Sequence, residues 1–164
     1  MGIALLTLAA AGTAALLATT VLSYAPREAA WMRGHFLLAL GSTFLLVMAH
    51  SFLMFFLIAT GVELKDMERE RGWGDSFRRR TVALKSRVFP LMTSALLLVI
   101  FNFMMGAAAH TRAVPAWAHQ GLAWLTVAVC LAALWREYLV VGENNRLIGE
   151  AASRREDKES HTAG

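Results

Sequence analysis

Four long apolar blocks set the terms for this chain, because each is long enough to cross a lipid bilayer. They cover about residues 3–22, 36–60, 89–109 and 117–141, with edges uncertain by roughly two to four residues. A span needs about 20 mostly apolar residues. In hydrocarbon every backbone N–H and C=O must find its partner within the protein, so such a block is a helix. The expected fold is therefore an all-α integral membrane protein, a bundle of four transmembrane helices. Residues 1–152 form one domain. After Ala152 nearly every residue is polar or small, and residues 153–164 read as a disordered tail.

The first block is kept as a span because the N-terminus, Met1 to Leu5, lacks the basic start of a secretory signal. Leu6 stands where a myristoylation signal needs Ser or Thr, so that pattern fails.

The basic residues fix the direction of the helices. Thirteen of the 16 Lys and Arg lie between blocks two and three or from Arg136 onward, leaving Arg27, Arg33 and Arg112 for the other two connections. Positive loops stay inside, so the middle connection and both termini face the cytoplasm, as in a bacterial-type inner membrane. Tyr24, Trp31 and Trp117 then fall at the outer ends of the spans, and Trp135 and Tyr138 at the inner end of the fourth, where amphipathic rings prefer to sit. The net charge of +4 has the same origin and gives no reason to invoke nucleic acid.

The middle connection is itself structured. Residues 63–71 alternate charge without a helix breaker, so span two continues into the cytoplasm. Gly72, Trp73 and Gly74 read as a turn, and Asp75 or Ser76 can cap a second helix. Pro90 lies near the start of span three. A helical cytoplasmic hairpin between spans two and three is the result.

Polar residues inside the spans carry the functional signal. At about 100° per residue, His35, Ser42 and His50 share an arc of roughly 80° on span two, and His119, Thr126, Cys130 and Glu137 share a similar arc on span four. Ser94, Asn102 and Met105 cluster on span three, and Thr7, Ala11, Ala15 and Ala18 make a small-residue face on span one. These faces are expected to meet inside the bundle, with hydroxyls and amides bonding across helices. Asn102 and Ser42 fall at one level in the outer half, and His50, Cys130 and Ser94 at another in the inner half. Glu137, next to Arg136, reads as part of a surface pair at the cytoplasmic edge.

His50 is the sharpest candidate, since an ionisable residue at membrane depth is a functional hypothesis by default. It can be an axial ligand of haem b, a donor to a quinone carbonyl or a proton carrier. His35, His110 and His119 fall at the outer face, where imidazole with the Met105 thioether would suit haem iron or copper, and imidazole alone zinc. Cofactor contacts are thus sought at His50, His35, His119, His110, Ser42 and Asn102, and metal ligands at His35, His110, His119 and Met105. The opposing reading is that these histidines are ordinary hydrogen-bonding groups and no cofactor is bound. Cys130 reads as a small apolar filler, since burial raises a thiol's pKa and makes it a poor nucleophile.

No phosphate-binding loop, zinc-protease helix, nucleophile elbow or dinucleotide fingerprint is present, so no catalytic activity of its own is expected. The sequence points to a small accessory or anchor subunit of a larger membrane complex, a redox one above all, in contact with lipid and partner subunits. A purely structural subunit and a small proton-conducting or transport bundle using His50 are the alternatives.

Overall fold

The computed structural model describes residues 1–24 and 29–162. Within them the chain forms four helices and no strand: α1 (Gly2–Leu22), α2 (Ala29–Arg71), α3 (Ser76–His110) and α4 (Ala116–Thr162). Each is long and apolar enough to cross a membrane. Arg27 lies outside the described residues.

The helices differ in length in a way that shapes the molecule. With 21 residues, α1 is a single span. With 43 and 47 residues, α2 and α4 reach about 65 and 70 Å at ~1.5 Å per residue. The N-terminus of α1 is level with Phe56 and Val141: a Cβ on Gly2 would sit 2.8 Å from Val141 Cγ1 and 3.1 Å from Phe56 Cε1. Beyond that level α2, α3 and α4 continue as a three-helix stem. The stem carries most of the basic side chains and is called the basic end here.

Around the bundle, α1 packs against α2 and α4, and α3 packs against the same two helices. Among the described residues α1 and α3 do not approach each other, whereas α2 and α4 meet across the diagonal. The α1–α2 contact is close because Gly12 has no side chain. A Cβ there would lie 2.9 Å from Leu46 Cγ and 3.4 Å from the Leu46 backbone nitrogen.

The stem forms much as the sequence predicts. Gly72 and Gly74 adopt positive φ angles of +65° and +80°, which glycine accepts without steric cost. The Trp73 N–H returns to the carbonyl of Glu68 at 3.1 Å. Asp75 occupies the N-cap position of α3, but its carboxylate makes no cap bond. Glu68, buried at the end of α2, supplies the cap instead. Its carboxylate accepts the Phe77 N–H at 2.6 Å and the Arg78 N–H at 2.9 Å. These amides have no carbonyl partner within the helix, so a carboxylate is a favourable occupant. Asp75 pairs with Arg78 at 3.1 Å, and that hydrogen bond holds its carboxyl below the usual carboxylate value.

The last helix runs further than the sequence suggests. The tail expected from residue 153 continues α4 as far as Thr162, and residues 163–164 lie outside the described ones. Three contacts hold the helix where the extension begins. Ala151 is buried in the stem core, Arg80 makes a two-pronged pair with Glu150 at 2.6 and 3.2 Å, and the Arg154 guanidinium lies 5.9 Å from the Trp73 ring and 5.6 Å from Phe77. A polar segment with a fixed surface to lie on has a reason to stay helical.

Two expectations about buried faces are corrected. On α1 the buried residues include Leu5, Ala9, Gly12, Thr13 and Leu16, while Thr7, Ala11 and Ala18 face outward. On α3 Ser94 is exposed and returns its hydroxyl to the Pro90 carbonyl at 2.8 Å, and the buried line runs through Met92, Ala95, Val99 and Asn102. Lipid is as apolar as the bundle interior, so apolar periodicity does not say which face turns inward.

Candidate functional site

The buried hydroxyls are satisfied within their own helices. Thr13, Thr20, Ser42 and Thr126 each donate to a carbonyl three or four residues earlier, at 2.7–3.0 Å. They are not the cross-helix contacts expected from the sequence. Among the described residues two side-chain hydrogen bonds cross the buried interior of the bundle, and both lie on the α2–α4 diagonal.

The first joins His50 to Glu137. Nδ1 of His50 lies 2.6 Å from Oε1 of Glu137, and both side chains are 0% exposed. The helical repeat explains the meeting. Leu46 and Leu53 flank His50 at i−4 and i+3 on α2, and Ala133 and Val140 flank Glu137 in the same way on α4, all four being buried. Leu46 and Ala133 belong to one apolar core, and Leu53 and Val140 to another nearer the basic end. The pair is a polar layer between two apolar ones. Counting ~1.5 Å per residue from Phe56 and from Val141, it lies about 6–9 Å inside the level of Gly2.

Glu137 is therefore not a surface group beside Arg136. Successive helical residues point about 100° apart, so Arg136 is exposed while Glu137 faces the core. The pair also has two open valences. His50 Nε2 and Glu137 Oε2 are buried and have no hydrogen-bond partner among the described residues.

The second crossing joins Thr60 to Asn144 nearer the basic end. The Thr60 hydroxyl is 3.1 Å from Asn144 Oδ1 and 3.0 Å from the Phe56 carbonyl, and Asn144 Nδ2 lacks a partner. One hydroxyl proton cannot serve two acceptors well. With the amide turned over, Nδ2 donates one proton to Thr60 and Thr60 donates to Phe56, a chain in which no proton is shared between two acceptors.

The remaining candidates are scattered. Ser42 and Asn102 are buried, and Asn102 Oδ1 is unpartnered. At the end opposite the stem, His119 sits against Gly106, where a Cβ would lie 3.1 Å from its Cε1. It lies near His35. The Nδ1 atoms of both rings are buried without partners. His110 is exposed at the end of α3 and Met105 is half-buried. Among the described residues no three His, Cys, Asp or Glu side chains converge into a metal-binding group. Cys130 is buried, as a packing residue would be.

The chain matches no protein-family model, and no curated protein or solved structure is significantly similar to it.

Proposed function

We propose that this chain is an integral membrane protein with both termini in the cytoplasm, and that it serves as a small proton-handling subunit of a larger membrane assembly. The observation that carries the reading is the His50–Glu137 pair, two ionisable groups in contact at 2.6 Å and wholly buried. Ionisable side chains at membrane depth are expensive to insert, and proton relays and ion pathways are among the functions that retain them.

The chemistry follows from proton bookkeeping at the four polar atoms. A nitrogen and an oxygen at 2.6 Å share a proton. With that proton alone the pair carries a net charge of −1, and a second proton on Nε2 brings it to zero while the Nδ1–Oε1 bond is kept. Proton exchange therefore takes place at Nε2, the ring atom that has no partner. The Thr60–Asn144 crossing lies between the pair and the cytoplasm, and its hydroxyl and amide can order water on the approach from that side. Leu46 and Ala133 close the pair off from the outer face, and Leu53 and Val140 close it off from the basic end, so exchange on either side needs that packing to open.

A second reading makes His50 a ligand in a redox subunit. It is favoured by the same Nδ1 contact, because ligating histidines usually donate their other ring N–H to a carboxylate, carbonyl or water, leaving Nε2 for the metal. His50 is fully buried, so haem or quinone would require the helices to part.

The visible spectrum of the purified protein, oxidised and reduced, separates the two. The proton reading predicts no Soret band. It also predicts a titrating imidazole band in infrared difference spectra that His50→Gln removes. A Soret band lost in His50→Gln supports the ligand reading. A colourless protein with no titrating imidazole leaves the pair structural.

A further inference from the structure

A cleft of about 770 Å³ opens on the outer surface between α2 and α3, near the basic end. Met54 and Ile58 form one wall, and Val82, Phe89 and Thr93 the other. Pro90 lies in the same wall, where α3 passes without a backbone donor. At the stem end of the cleft stands Lys85, with the Ser86 hydroxyl beside it.

Lys85 is placed there by a glycine. Its side chain crosses from α3 to lie over Gly61 of α2, and a Cβ on Gly61 would come within 2.9 Å of Nζ. Any larger residue at 61 would push the ammonium away. Among the described residues Lys85 has no carboxylate partner. Lys65 follows Gly61 by one helical turn, about 6 Å further toward the basic end, and adds a second positive charge to the same face of α2.

We propose that this cleft holds one anionic glycerophospholipid of the cytoplasmic leaflet. An acyl chain lies along Met54, Ile58 and Phe89, and the phosphate rests on the Lys85 ammonium with the Ser86 hydroxyl as a further donor. The proposal needs the helices to span a membrane but does not depend on the proton pair. Depth supports it: Gly61 and Lys85 stand within a turn of the apolar stretches of α2 and α3, at the headgroup level, and the apolar walls reach from there into hydrocarbon. Charge selects the headgroup. A cation with no internal counterion at the mouth of an apolar cleft favours a net negative lipid, since a zwitterionic one brings its own cation into the same space.

Native mass spectrometry of the detergent-purified full chain, with dioleoyl phosphatidylglycerol and dioleoyl phosphatidylcholine in competition, tests this. One phosphatidylglycerol retained per chain, in clear preference to phosphatidylcholine, is expected. Lys85→Gln should weaken its retention about tenfold, the loss of one charge-assisted contact, and Lys85→Arg should keep it. Thr93→Trp, at an exposed position, should fill the cleft and remove both lipids. His50→Gln should retain phosphatidylglycerol as the wild type does, so the proton site can fail without this site failing. Equal retention of the two lipids, or unchanged phosphatidylglycerol retention in Lys85→Gln and Thr93→Trp, overturns the proposal.

Discussion

Nδ1 of His50 lies 2.6 Å from Oε1 of Glu137, and neither side chain has any exposed surface. Removing one partner and removing both should therefore have opposite consequences. Glu137→Ala leaves His50 buried beside a cavity with no acceptor and should destabilise the bundle by about 3–5 kcal/mol. His50→Phe combined with Glu137→Met replaces the pair by apolar groups and should be near neutral or stabilising. Thermal unfolding in detergent distinguishes the cases. If the double variant is as damaged as Glu137→Ala, the pair is a structural necessity and the proton reading loses its rationale.

Asn144 stands between that pair and the basic end, joined to Thr60 at 3.1 Å. Asn144→Leu should slow proton exchange at His50 without removing the site. The expected result is an unchanged His50–Glu137 hydrogen bond with slower isotope exchange of the imidazole protons. Unchanged exchange would mean that protons arrive by another route.

Much of this architecture is legible in the sequence, and the part that is not has a physical cause. The four apolar blocks, the extension of α2 to Arg71 and the turn at Gly72 to Gly74 follow from length, charge and glycine placement. Glu137 does not, although it shares an arc with Cys130 and Ala133 on α4. Adjacency to Arg136 suggests a surface pair, whereas helical geometry turns adjacent residues apart. The inner face of α1 and the outward turn of Ser94 are illegible for a different reason. With lipid outside and an apolar core inside, hydrophobicity has no inward direction, and only close-packing sites such as Gly12 against Leu46 reveal it.

Glu68 caps α3 from the end of α2, with amide contacts at 2.6 and 2.9 Å. Loss of this cap in Glu68→Ala should cost about 1–2 kcal/mol. The effect should concentrate in the stem, so hydrogen exchange at Phe77 and Arg78 should rise while the amides around His50 keep their protection. Uniform loss of protection would show that stem and bundle unfold as one unit.

Glu150 gives the stem a dependence on pH. The hydrogen bond from Arg80, at 2.6 Å, holds its carboxyl below the ordinary value. Because the folded value is lower than the unfolded one, about 4.3, the contact stabilises the stem above that value. The contribution is lost as pH falls through the depressed folded value. Wild type should melt above Glu150→Gln near neutral pH, and the two should converge in acid. The same difference at every pH would assign the effect to packing.

The most direct test of the central claim is nitrogen-15 NMR of labelled histidine in bilayers, with His50 assigned by comparison with His50→Gln. The account predicts that Nδ1 keeps its hydrogen bond to Glu137 throughout a pH titration, while Nε2 gains and loses a proton within the range in which the bundle stays folded. A His50 ring whose two nitrogens keep the same protonation across that whole range would contradict it.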